Sequence, residues 1–181
     1  MKAIVSLAVR LLVITVAVAA ALAGVNAVTA ERISAAEAEK VQQAIVSVLP
    51  GCTDIEQVEG AEFDLVTAIY STSLGYAVQV EPQGFGGAIT MVVGVGTDGC
   101  VTGVEIVSHS ETAGLGAKAA ASTGEGPGFR ASFIGLSGEV TVSKDGGQAD
   151  TLTSATITSR AVAEGVSAAL ATAAAMEEGA Q

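Results

Sequence analysis

The stretch Asp150-Thr151-Leu152-Thr153-Ser154-Ala155-Thr156-Ile157-Thr158-Ser159 gathers hydroxyl side chains behind a leading carboxylate. A helix-forming segment, Arg160 to Met176, follows at once. Thr156 therefore falls at a helix entrance, where unpaired backbone N–H groups and the positive dipole end favour an anion such as a phosphate. Hydroxyls there serve either as ordinary caps or as phosphate ligands. In the second case Thr153, Ser154 and Thr158 offer hydroxyls, and Ala155 to Thr158 offer N–H groups. Just upstream, the turn Lys144-Asp145-Gly146-Gly147 brings a cation that could neutralise such a charge. A second polar cluster, His109-Ser110-Glu111-Thr112-Ala113-Gly114-Leu115-Gly116, holds the chain's one histidine at the end of a strand-like run. Polar residues at strand ends tend to serve a site. His109 has no Ser or Cys partner in a nucleophile motif, so hydrolase chemistry is a poor reading. Gly84-Phe85-Gly86-Gly87 is either a simple turn or a place where backbone approaches a ligand closely.

The elements that must position these residues read as follows. Leu11 to Ala30 is 20 residues without a charge, long enough to cross the ~30 Å hydrocarbon core of a bilayer. Lys2 and Arg10 precede it and Glu31 follows, which predicts the N-terminus inside and the rest of the chain outside. Val28-Thr29-Ala30 also reads as a cleavage site, but the apolar run is longer than a usual signal peptide's. A retained anchor over residues 1–30 and one domain over 31–181 is the expected organisation. Ser34-Ala35-Ala36-Glu37 reads as a capping box opening a helix from Ala35 to Leu49, stopped by Pro50-Gly51. Strand-like runs follow at Glu62–Ser71, Leu74–Glu81, Ala88–Gly96 and Cys100–Ser108. The last two are joined by Thr97-Asp98-Gly99 as a hairpin. A short helical piece is expected near Ala117–Ser122, a strand at Glu139–Ser143, and a final helix from about Thr158 to Met176. Helices at both ends of a run of strands argue α+β, with a mostly antiparallel sheet flanked by helices.

Composition narrows the function. Formal charge is −11, from 19 acids and 8 bases, which excludes a basic patch able to neutralise nucleic acid. Two cysteines, Cys52 and Cys100, and a single histidine are too few for a zinc or iron–sulfur centre. If the domain is outside the cytoplasm the two thiols either stay unpaired, the favoured reading, or form a bridge. With 50% apolar residues but only 3% aromatic, the core must be built from Ala, Val, Leu and Ile.

The hydroxyl-rich run resembles the flavinylation motif of FMN-binding domains, roughly Asp-x-x-Ser/Thr-Gly-Ala-Thr, with Ser154 where Gly is usual. The His109–Gly116 segment resembles the His-x-Glu-Thr-Pro-Gly-Leu-Gly of the same domains, with Ala113 in place of Pro. The order of span, GFGG, strand, TDG, strand, HSETAGLG, KDGG and TSATITSRAV is similar to that of the G subunits of Rnf-type ion-translocating electron-transfer complexes. The C subunits of sodium-pumping NADH:quinone reductases are a related group. The resemblance implies FMN joined through its phosphate to Thr156, with a flavin transferase making the bond from FAD. It implies that His109, Glu111, Thr112, Gly114 and Leu115 line the ring or ribityl chain and that Lys144 balances charge. It implies a non-autonomous redox subunit whose partners are the other subunits of a membrane complex coupling ferredoxin/NAD electron transfer to ion movement. The protein would supply position and electrostatics to flavin chemistry. Two alternatives stand beside this: a stand-alone membrane-anchored FMN carrier for an extracytoplasmic reductase, and a C-type subunit. The single span has no internal charge and cannot itself conduct ions.

Overall fold

The structure is a computed structural model that describes residues 2–58 and 63–179. The first element, α1, is one uninterrupted helix, Lys2–Val48. It contains the segment Ser6–Val48, which is long and apolar enough to cross a membrane. The expected break at Ser34 does not occur. Ser34 Oγ instead donates to the carbonyl of Glu31, 3.1 Å away, within the helix. Neither Pro nor Gly occurs between Val25 and Leu49, so no residue breaks the helix there. Contacts divide the chain into two compact units, Met1–Lys40 and Val41–Gln181, and the division falls inside α1.

Among the described residues of the second unit, five strands form one antiparallel sheet: β1 (Glu56–Val58), β2 (Val66–Thr72), β3 (Gly75–Val80), β4 (Ile89–Gly96) and β5 (Val101–His109). They lie side by side in chain order. The β4–β5 hairpin turns at the expected Thr97-Asp98-Gly99, closed by the Gly96 N–H on the Cys100 carbonyl at 2.9 Å. The strand expected from Glu62 begins later, at Val66, and Glu62 itself lies outside the described residues. β1 carries too short a pattern to read from sequence.

Alternation along the strands builds two apolar layers, because successive side chains point to opposite faces. Val78, Val80, Met91 and Val93 pack against Val162, Val166 and Ala169 of α3 (Thr156–Gly179). Ala77 and Val92 point the other way and pack against Val41, Ala44, Ile45, Val48 and Leu49. The second contact is close because Gly94 and Gly103 are paired across β4 and β5. A Cβ on Gly94 would come within 2.8 Å of the Val48 carbonyl oxygen, and one on Gly103 within 3.0 Å of Val48 Cα.

After β5 the chain makes a short 3₁₀ turn, Gly116–Ala120, and then α2, Glu125–Ala131. Phe129 of α2 meets Phe133 edge to face at 5.2 Å. The segment after α2 pairs with the start of β5: Gly135 N–H donates to the Val101 carbonyl at 2.8 Å, and Val101 N–H to the Leu136 carbonyl at 2.9 Å. Glu139–Ser143 is no strand. It begins in a bend, forms one isolated bridge, Val142 to Ala149, and ends as Ser143 enters a 3₁₀ turn. The KDGG segment is likewise no hairpin: Ser143–Asp145 is a 3₁₀ turn closed by Gly146 in the left-handed region. Cys52 and Cys100 are free, half-buried thiols.

Candidate functional site

The N-terminus of α3 begins at Thr156. The loop before it is fixed from several sides. Leu152 N–H donates to Ser159 Oγ at 3.0 Å, and Ser159 Oγ in turn donates to the Ala155 carbonyl at 2.9 Å. Asp150 N–H donates to Ser132 Oγ at 3.0 Å, and Thr153 N–H to Glu125 Oε2 at 3.2 Å. Ser154 takes a left-handed conformation, φ +62°. That is the physical reason a Gly suits this position. The first turn of α3 contains no acidic side chain, so nothing there competes for the N–H groups that a helix leaves without intrahelical partners.

Lys144 reaches this turn. Its Nζ donates to Thr156 Oγ1 at 2.8 Å. The approach is held by a fork: Arg160 Nε and Nη2 donate to the two Asp145 carboxylate oxygens at 2.7 and 2.6 Å. The Arg160 hydrogen bond draws the Asp145 carboxyl below its ordinary range, and the same bond raises Arg160. Asp145 thereby docks the turn that carries Lys144 onto the helix that carries Thr156.

Beside this turn lies an open cleft of about 330 Å³ lined by Phe85, Glu111, Thr112, Leu115, Gly116 and Ser154 to Thr158. Phe85, Leu115 and Ile157 are exposed by 68%, 42% and 51%. Three large apolar side chains turned to solvent around one cleft suit a flat apolar ligand better than water. The Glu111 carboxylate sits among them. It accepts from the Gly86 N–H at 2.9 Å and from Thr158 Oγ1 at 2.6 Å.

The structure therefore gathers Thr156, Ser154, Ala155, Thr158, Glu111, Thr112 and Leu115 around one cleft, with Lys144 on its Thr156 end. It does not bring the other three candidates there. His109 Nδ1 accepts the Glu111 N–H at 3.2 Å, so its ring serves the loop's shape. Gly114 is exposed and left-handed, φ +76°, and acts as a turn. Thr153 lines a separate cleft with Glu125, Phe129 and Asp150. Phe85, Gly116 and the side chain of Ile157 join the site although the sequence reading names none of them as lining it, Ile157 being read only for its backbone N–H. GFGG and the HSETAGLG segment mark the first two as neighbours, whereas an Ile after Thr156 carries no signal.

The family model of the FMN-binding domain matches residues 84–171, a span that contains every lining residue of the cleft. Relatives extend the match to most of the chain. The G subunit of the ion-translocating oxidoreductase complex of Methanosarcina acetivorans is 32% identical, with 93% of this chain and 94% of the relative covered. The G subunit of the Na(+)-translocating ferredoxin:NAD(+) oxidoreductase complex of Acetobacterium woodii is 29% identical over 91% of this chain and 89% of its own. The corresponding subunit of the proton-translocating complex of Clostridium ljungdahlii is 42% identical over 52% of this chain and 50% of its own. The chain belongs to the family of ion-translocating oxidoreductase complex G subunits.

The residues present fit FMN. Its phosphate needs donors and positive charge, which the first turn of α3 and Lys144 supply. Its ring needs apolar walls, which Phe85, Leu115 and Ile157 supply.

Proposed function

We propose that this chain is an electron-transfer subunit that carries FMN covalently, its phosphate esterified to Thr156, within a membrane complex coupling ferredoxin/NAD electron transfer to ion translocation. The observation that carries the reading is the 2.8 Å contact of Lys144 Nζ with Thr156 Oγ1 at the entrance of α3, beside an apolar cleft. The names of the relatives support the complex and its redox couple, and they include both sodium and proton translocation. Either ion is compatible with a subunit whose one apolar helix holds no conducting charge.

When bound, FMN supplies one-electron exchange between carriers. The chain's residues do the rest. Lys144 would offset the phosphodiester charge, and the first-turn N–H groups of Thr156, Ile157 and Thr158 would be available to hold it. Thr112 and Ser154 offer hydroxyls in the cleft, and Phe85, Leu115 and Ile157 exclude water from the ring. A tethered group cannot diffuse away, so the cleft can stay open enough for electrons to pass to a partner. The modifying partner is a flavin transferase that cleaves the pyrophosphate of FAD, joins the FMN phosphate to Thr156 Oγ1 with loss of the hydroxyl proton, and releases AMP. Residues 1–30 form the anchor and 31–181 the FMN domain, with the N-terminus cytoplasmic and the domain outside, an orientation supported by Arg10 ahead of the apolar run.

Mass spectrometry of the intact, denatured chain, co-expressed with a flavin transferase, tests this. The wild type gains the mass of one FMN residue, and Thr156→Ala gains none. Thr156→Ala also loses its fluorescent band on a denaturing gel. A Thr156→Ala chain that still carries the added mass places the bond elsewhere.

A further inference from the structure

Glu111 is the one acidic side chain lining the cleft among the described residues, and it is unusually enclosed by glycine. One carboxylate oxygen holds the Gly86 N–H and the other holds the Thr158 hydroxyl. A Cβ on Gly84 would run into Oε1, and a Cβ on Gly116 would run into Oε2 and Thr158 Oγ1. A Cβ on Gly86 would strike the Ser110 carbonyl. Three glycines from two segments thus clear the space for one carboxylate and for the backbone that it grips. Thr158 is 2% exposed and fixed in the first turn of α3. Gly86 is exposed, in the loop that presents Phe85 at the rim of the cleft. The carboxylate joins a rigid point to a loose one.

We infer that Glu111 is a positioning residue, a clamp that holds the Phe85 loop against the α3 entrance so that Phe85 covers the ligand in the cleft; the cover rests on the FMN reading, the clamp does not. The base of the loop is closed by the Gln83–Ala88 bridge, by Ile89 N–H on the Pro82 carbonyl and by Gly84 N–H on the Gly87 carbonyl, both at 2.9 Å, whereas its tip at Gly86 is tied to the α3 entrance through the Glu111 carboxylate. Hydrogen bonds to a carboxylate are about twice as strong as neutral ones, so losing this one frees the loop more than losing an amide pair would.

Two measurements on the full chain in detergent test the pair of claims separately. In flavin-free protein, hydrogen exchange of the segment Gln83–Gly87 reads the clamp. Glu111→Ala exchanges about tenfold faster there, as expected for loss of a charge-assisted hydrogen bond. Glu111→Gln falls between the two, about threefold faster than wild type, because its neutral amide can still accept from Gly86 N–H and donate to the Thr158 oxygen but without the charge assistance. Unchanged exchange in Glu111→Ala overturns the clamp. In FMN-loaded protein, iodide quenching of flavin fluorescence reads the cover. Glu111→Ala and Phe85→Ala each raise it about threefold, and the double variant raises it no further, as coupled neighbours should behave. Full additivity, or quenching unchanged in Phe85→Ala, overturns the cover. A wild-type chain that takes up no flavin sinks the FMN reading alone, and the exchange result still judges the clamp.

Discussion

At Ser154 the backbone turns left-handed where FMN-binding domains usually carry Gly, and this residue accordingly bears strain that a glycine would avoid. The left-handed region costs an L-residue roughly 1–2 kcal/mol, less for a residue whose short polar side chain bonds locally. Ser154→Gly is therefore expected to raise stability by about 0.5–1 kcal/mol. Ser154→Val should lower it by more than about 1 kcal/mol, because a β-branched side chain tolerates this region worst. Thermal melts in detergent read both, and a melting temperature unmoved by valine would mean that the turn is not left-handed in solution. Several residues of the site are legible in the order of residues alone. The hydroxyl run and helix entrance point to Thr156, and the KDGG turn supplies Lys144. A lone histidine at a strand end reads as a surface or structural group, and only the family resemblance puts His109 beside the flavin. Its ring nitrogen is instead spent on the Glu111 N–H. A hydrogen bond to a neighbour's backbone leaves no trace in composition or spacing.

Among the elements, the Ser143–Asp145 turn and the start of α3 depend on each other through the Arg160–Asp145 fork. The Arg160 hydrogen bond lowers the Asp145 pKa in the folded protein below its unfolded value. The ionised carboxylate is then favoured by folding. Its contribution is complete above the ordinary carboxylate range, near ~4, and is lost as pH falls through the lowered value. Asp145→Asn should lower the melting temperature at neutral pH and then lose less than wild type on acidification. Parallel acid curves for the two proteins would show that the fork does not matter to the fold. The elements also show why parts of the secondary structure are hidden from a linear reading. The hairpin of β4 and β5 is plain because its strands are dense in β-branched residues and its turn is Thr-Asp-Gly. Glu139–Ser143 has the same local chemistry, yet it finds only one bridging partner. Strand propensity describes a fit to neighbours, and neighbours are set by topology. α2 is obscured because Gly126, Pro127 and Gly128 sit within its short span, and its place is secured by Phe129 in the core.

For the whole molecule, the division between the two compact units lies ten residues beyond the end of the uncharged run at Ala30, between Lys40 and Val41. Sequence alone signals a boundary at the apolar edge because hydropathy reports where lipid ends. It does not report where a helix begins to pack into the core of the following unit, which here is at Val41. Val41, Ile45, Val48 and Leu49 belong to the second core, and each is at most 8% exposed. Burying a side chain of this size is worth roughly 1.5–3 kcal/mol, so the four together rival the roughly 5–15 kcal/mol that typically separates folded from unfolded domains. The acidic balance of −11 adds self-repulsion that the core must overcome.

The closing stretch of α1, from Val41 onward, has a practical meaning for anyone who wants the domain free of detergent. A fragment starting at Val41 keeps the lid on the far side of the sheet and should melt in one cooperative step. A fragment starting at Gly51 strips the lid off, leaving Ala77 and Val92 bare, and should bind a hydrophobic dye and clump. Should the shorter piece prove as sturdy as the longer, the tether would be mere rope. Otherwise a protease that sheds this protein from its membrane in usable form must cut upstream of the structural plug.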